Sequence, residues 1–132
     1  MIVIDTSALF AIAANEAERA TFIELIEADG AVLCSAVTYV ESVMVLTGRS
    51  KRLARARVDE LLHLFAIEIV PVSHALADAA LDAFDRFGKG RHPARLNLGD
   101  CFSYALAKSR ELPLLFKGDD FSNTDLVPAW RP

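Results

Sequence analysis

The sequence predicts an α/β fold in which a mostly parallel sheet is covered by helices on both faces. Three observations carry this expectation. Short, wholly apolar runs such as Ile2-Val3-Ile4 and Leu114-Leu115-Phe116 recur along the chain. They alternate with segments of helical period that are apolar on one stripe. Hydrophobic residues make up 53% of the 132, enough for a single domain over residues 1–132 to bury a core. Strands that are apolar on both sides belong in the middle of a three-layer α/β/α arrangement.

The elements follow in order. Residues 2–4 form a buried strand. Residues 6–14 and 16–28 are helical, with Phe22, Leu25 and Ile26 on one face. Asp29-Gly30 turns the chain into a second strand, Ala31-Val32-Leu33-Cys34. A helix runs from Val37 through Leu46 and stops near Gly48, a residue suited to helix ends. The next helix, about 51–65, sets Ala54, Val58, Leu61, Leu62 and Phe65 on one stripe. Ile67-Glu68-Ile69-Val70 is a third strand, closed by Pro71. Residues 74–87 make an amphipathic helix with Leu76, Ala80, Phe84 and Phe87 inward. A polar loop over 88–95 leads to a helix over 98–110 and a fourth strand over 114–116. The tail, 121–132, adds a short last strand around Leu126-Val127.

Composition narrows the function classes. The net charge of −4 does not advertise nucleic acid, although local patches can steer a ligand regardless of the total. The chain opens on a strand pattern, which argues against a signal peptide. No apolar run approaches the roughly 20 residues of a membrane span. Cys34 and Cys101 form neither a C-x-x-C nor a zinc spacing, and read as reduced core thiols. The expected compartment is the cytoplasm. His63, His74 and His92 are scattered and share no metal-ligand spacing.

The chemistry points to acids. Asp5 ends the first strand, and Asp119-Asp120 follow the fourth. Such positions lie at the carboxyl edge of a parallel sheet, where open α/β folds bind ligands. Asp5 also precedes a helix, so it doubles as an N-cap, with Thr6 and Ser7 holding the turn or a water. Glu41 has Val37, Thr38, Met44 and Val45 as its helical neighbours, a setting in which glutamate needs a partner. Asp100 sits in Asn97-Leu98-Gly99-Asp100, in the first turn of a helix capped by Asn97. The helix dipole favours a carboxylate there by roughly 0.3–1 kcal/mol. Two carboxylates about 4 Å apart repel by about 4 kcal/mol at an effective dielectric near 20. A divalent cation is the simplest relief.

These residues, in this order, resemble the PIN-domain ribonucleases, and most nearly the VapC-type toxins of bacterial toxin–antitoxin pairs. The resemblance runs through Ile4-Asp5-Thr6-Ser7-Ala8-Leu9, Glu41, Leu98-Gly99-Asp100-Cys101 and Leu115-Phe116-Lys117-Gly118-Asp119-Asp120-Phe121. It implies a PIN-like sheet flanked by helices, a Mg²⁺ or Mn²⁺ cofactor and hydrolysis of RNA phosphodiesters. It places the family's acids on Asp5, Glu41 and Asp100. The fourth often directly precedes a phenylalanine, which selects Asp120 over Asp119. Many relatives also carry an acid where this chain has Gly118. Asp5 and Asp100 are then the nearest metal ligands, with Glu41 and Asp120 holding waters or a second ion. The resemblance further implies transfer or ribosomal RNA as substrate, a VapB-type antitoxin and a homodimer.

Two basic runs stand beside the acids. One is Arg49-Ser50-Lys51-Arg52 with Arg55 and Arg57; the other is the loop carrying Lys89, Arg91 and Arg95, just before Asp100. Lys89 and Arg91 are the better placed to hold RNA phosphates, and Thr6 and Ser7 complete the expected substrate contacts. Two rival readings remain. A receiver-type signalling domain would want paired acids after the first strand and an aspartate after the third, where Val70-Pro71-Val72 stands. A catalytically idle PIN-like scaffold would have no need of all four acids.

Overall fold

The computed structural model of the chain describes residues 1–49 and 53–132. β1 (Ile2–Ile4) leads into α1 (Thr6–Ala13) and α2 (Arg19–Asp29). β2 (Val32–Ser35) is followed by α3 (Ala36–Arg49), α4 (Ala54–Leu64) and β3 (Glu68–Val70). Then come α5 (His74–Phe87), α6 (Leu98–Arg110) and β4 (Leu114–Leu115). The four strands are parallel and lie in the order β3-β2-β1-β4.

Alternation along the strands splits the core into two layers. Ile2, Ile4, Val32 and Cys34 pack with α1, α2 and α4. Val3 and Leu33, one residue out of phase, pack with α5 and α6. Successive strand side chains point to opposite faces, so a run apolar at every position is what two covered faces require. The two cysteines are free and buried.

The strand order reverses direction at β1, with β2 on one side and β4 on the other. Such a reversal opens a crevice at the carboxyl ends of the strands. Asp5 and the segment Lys117 to Asp120 leave the two strands that border it.

Several expectations shift. α3 continues through Gly48 to Arg49, so Gly48 is helical and caps nothing. The second helix begins at Arg19, after a turn, and not at residue 16. The predicted helix start at 51, and with it Ser50, Lys51 and Arg52 of the first basic run, lies outside the described residues. β3 is an edge strand, so Glu68 and Ile69 are exposed. Phe84, expected inward, lies at the surface under the Arg91 guanidinium, 5.1 Å from its ring centre. The tail makes one bridge, Leu114 with Pro128, in place of a strand around Leu126-Val127. Pro128 has no N–H to extend a ladder. A 3-10 turn at Asp120–Asn123, unforeseen in the sequence, carries Asp120.

Candidate active site

The Asp5 backbone fixes the site to the sheet. Its N–H donates to the Leu115 carbonyl at 2.9 Å, continuing the β1–β4 ladder. The side chain then caps α1. Oδ2 accepts from the Ser7 N–H at 2.9 Å and from the Ser7 hydroxyl at 2.7 Å. Oδ1 accepts from the Ser103 hydroxyl of α6 at 2.6 Å. Asp5 is 3% exposed. The capping reading of this residue holds, and the capping carboxylate is the one whose charge reaches Asp100 and Glu41.

Asp100 is held by a reciprocal cap. Its N–H donates to Asn97 Oδ1 at 2.9 Å, and the Asn97 N–H donates to Asp100 Oδ2 at 3.1 Å. The Asp100 carboxyl is pushed up to about 7, by burial first, against the pull of the Asn97 N–H. The charges of Asp5, Asp120 and Glu41 are part of that rise. Four acids widely separated in sequence therefore share one electrostatic field.

Glu41 sits at the rim. Its Oε1 accepts from the Thr6 hydroxyl at 2.5 Å. Burial raises its pKa, the Thr6 hydrogen bond lowers it, and the Asp5 charge raises it. The apolar setting inferred for it does not exist as such, because Val40, Met44 and Val45 face solvent. The buried face of α3 is Thr38, Ser42 and Leu46. What brings Glu41 inward is Gly99. A Cβ built there would collide with both Glu41 carboxylate oxygens. Glycine lets the start of α6 approach the carboxylate.

Asp120 is exposed on its turn, and its charge reaches Asp100. Asp119 lines a neighbouring cleft of about 550 Å³ with Lys117, Trp130 and Arg131. This arrangement separates the two adjacent acids. Lys117 is occupied elsewhere, with its ammonium 3.0 Å from Glu18 and 3.4 Å from Glu16.

Among the described residues, no lysine or arginine lies within ion-pair distance of Asp5, Glu41, Asp100 or Asp120. Nor do three acid, histidine or cysteine side chains close into a metal-binding cluster. The tight convergence expected from the sequence is thus looser than a cage. Each buried carboxylate is met first by a hydroxyl or an N–H. The donor set is nonetheless all oxygen and all acidic, which suits a hard cation. Magnesium often takes only one or two carboxylates and keeps several waters.

A family model described as the PIN domain matches residues 2–126. Ribonuclease VapC30 of Mycobacterium tuberculosis (strain H37Rv) is 44% identical over 131 residues, covering 99% of this chain and 100% of the relative. The chain belongs to the PIN-domain family of VapC ribonucleases. Ribonuclease VapC of Mycolicibacterium smegmatis is 43% identical over 126 residues, covering 96% of this chain and 98% of the relative. The fold agrees as well. The crystal structure of Mycobacterium tuberculosis VapC20, a sarcin–ricin loop cleaving toxin, superposes with a TM-score of 0.81 at 21% identity. A chain of a toxin–antitoxin complex from Klebsiella pneumoniae superposes with a TM-score of 0.72 at 18% identity. Both alignments cover 100% of each chain.

In this PIN domain the remaining predicted residues fall into two groups. Thr6 and Ser7 turn their hydroxyls onto Glu41 and Asp5. Lys89 and Arg91 are exposed on the loop between α5 and α6. The loop is pinned by the Gly88–Leu96 bridge, and Arg91 leans on Phe84, 3.9 Å from Asp85. No helix is long and apolar enough to cross a membrane among the described residues.

Sequence reasoning missed Ser103, Thr38 and Gly99. A signal existed for two of them. Ser103 interrupts the apolar run of a buried helix, and a buried hydroxyl requires a partner. Gly99 sits inside a helix at a cost of about 1 kcal/mol relative to alanine, which often marks a close approach.

Proposed function

We propose that this chain is a metal-dependent endoribonuclease and the toxin of a toxin–antitoxin pair. One observation carries the reading. Asp100 is buried among the charges of Asp5, Asp120 and Glu41, its carboxyl is pushed up first by burial and then by those charges, and no described lysine or arginine lies within ion-pair distance to balance it. The ribonuclease names of relatives at 43–44% identity support the same reading.

Asp5 and Asp100 would hold a Mg²⁺ or Mn²⁺ ion, with Glu41 and Asp120 nearby. When bound, such an ion supplies positive charge against the scissile phosphate and acidity to an attacking water. The protein's own part is orientation. Thr6 sets Glu41, Ser7 sets Asp5, and Asn97 sets Asp100. Lys89 and Arg91 would hold flanking phosphates, making affinity fall with salt. The substrate proposed is an unpaired loop of ribosomal or transfer RNA, since splayed bases are what proteins read in RNA. A VapB-type antitoxin, in line with the toxin–antitoxin complex among the structural neighbours, and a homodimer complete the reading. The free buried thiols suit a reducing cytoplasm.

The test is incubation of purified, partner-free chain with total RNA, with and without Mg²⁺ or Mn²⁺, followed by sequencing of the cut ends. Discrete cleavage that requires the ion and vanishes in Asp5→Asn is the expected result. Equal cleavage by folded Asp5→Asn, or none by wild type at any ion concentration, would remove the assignment.

A further inference from the structure

Asp5 is gripped on both oxygens by hydroxyls, and each hydroxyl is itself supplied by a second donor. Ser7 Oγ accepts from the Lys117 N–H at 3.0 Å and donates to Asp5 Oδ2 at 2.7 Å. Ser103 Oγ donates to Asp5 Oδ1 at 2.6 Å and lies 3.3 Å from Thr38 Oγ1. An ionised carboxylate can only accept, and a serine hydroxyl has one proton. The Ser103 proton is therefore committed to Asp5. Thr38 must be the donor in the contact with Ser103. Both relays run one way, toward Asp5.

The second relay joins three elements that are far apart in the chain. Thr38 belongs to α3, Ser103 to α6, and Asp5 ends β1. Thr38 and Ser103 are 0% and 1% exposed, so no water competes for either hydroxyl. Burying two hydroxyls in an otherwise apolar contact is costly unless they bond. Neither is needed to fill space, because valine and alanine would.

We propose that Ser103, backed by Thr38, is a positioning residue that locks the Asp5 carboxylate in the orientation required to receive a divalent cation. Fixing Oδ1 from the α6 side and Oδ2 from the β4 side leaves the carboxylate no free rotation. Oδ2 accepts two hydrogen bonds and Oδ1 accepts one, so the lone pair left for a ligand is on Oδ1, the oxygen that Ser103 orients. The metal part of this inference rests on the ribonuclease reading; the relay does not.

Two measurements test it on the full, partner-free chain. The first uses thermal unfolding in EDTA for wild type, Ser103→Ala, Asp5→Asn and the double variant. Contacting residues give non-additive losses. The relay predicts that the double variant loses clearly less in Tm than the sum of the two singles. Strict additivity overturns it. The second is Mn²⁺ titration by electron paramagnetic resonance, with kcat and KM on a cleaved RNA. Removing a residue that orients a metal ligand commonly costs about 10–100-fold in metal affinity or activity. Ser103→Ala should weaken Mn²⁺ binding and lower kcat by that order, with KM for RNA nearly unchanged. Thr38→Val should show a smaller loss, and Ser103→Thr, which keeps a hydroxyl, should restore binding. Wild-type Mn²⁺ affinity in Ser103→Ala, or a Ser103→Thr variant as weak as Ser103→Ala, overturns the positioning role. A wild type that binds no Mn²⁺ sinks the metal role with the ribonuclease reading, and the EDTA cycle still decides the relay.

Discussion

The amino ends of α1 and α6 each carry a buried aspartate, yet the two are furnished differently. Asp5 receives three donors, spread over both oxygens. Asp100 receives one, on Oδ2, from Asn97. Both positions enjoy the positive end of a helix dipole. The difference lies in what burial is set against. At Asp5 the protein supplies the partners from within. At Asp100 burial and three neighbouring acids outweigh a single N–H, and the carboxyl is pushed up to about 7. One acid is already oriented by the scaffold on both oxygens; the other is held by a single N–H against burial and three like charges.

The largest expected effect comes from removing either acid; with Asp5→Asn expected to abolish cleavage, Asp100 is the test of the contrast. Asp100→Asn should reduce metal-dependent RNA cleavage by at least ~100-fold, more than loss of an orienting partner alone. Cleavage assays on variants with intact circular dichroism check this, and activity within tenfold of wild type would erase the contrast between the two acids.

The same variant should change how stability responds to pH. An acid whose folded pKa lies above its unfolded value of roughly 4 is protonated first in the folded chain. Its contribution is fully present below roughly pH 4 and is lost as pH rises through about 7. The metal-free chain should therefore lose up to about 4 kcal/mol from this group across that window. Thermal melts in EDTA between about pH 5 and pH 8 should slope downward in wild type and flatten in Asp100→Asn. Parallel slopes would show that Asp100 titrates normally.

A smaller and more selective effect is expected at Gly99. Its neighbour is the mobile end of Glu41, so alanine should cost less than about 1 kcal/mol of stability. Displacing the Glu41 carboxylate should nonetheless lower cleavage by roughly tenfold, the low end for an orienting contact. A Gly99→Ala variant of unchanged activity would mean that Glu41 stands outside the working set.

The smallest effect belongs to the loop. Lys89→Ala should raise KM for RNA about two- to fivefold at low salt, with kcat nearly constant, and the difference should shrink as salt rises. Arg91→Ala should do less, because that guanidinium already rests on Phe84 and near Asp85. Equal, salt-independent effects would point to loop folding and not to phosphate contact.

The strands, the helices and the two capping aspartates were legible because their signals are local. Period, flanking apolar runs and the Asn97-x-x-Asp100 spacing need no tertiary knowledge. Glu41 was reached by an argument that the structure corrects in part, since Met44 and Val45, two of the neighbours taken as its surroundings, face outward. It matters through Gly99 and Thr6, which lie 58 and 35 positions away. Ser103 and Thr38 stayed hidden for the same reason. A serine in a helix reads as ordinary until the packing of α3 against α6 gives it a carboxylate to meet. The choice between Asp119 and Asp120 likewise needed the 3-10 turn, which sends one toward Asp100 and the other into the cleft.

The rims of the sheet carry a last consequence. On one side, the Leu114 N–H donates to Val127 at 2.9 Å and its carbonyl accepts from Ala129 at 2.8 Å, so the outer margin of β4 is already taken by the molecule's own tail. On the other, β3 offers three residues, shows a glutamate outward and ends at a proline. Neither margin is a usable template for a foreign strand. Sheet growth is closed off by the tail on the β4 side and discouraged on the β3 side by a short strand and an outward glutamate, so helices and loops are the surfaces this molecule offers most readily to a partner.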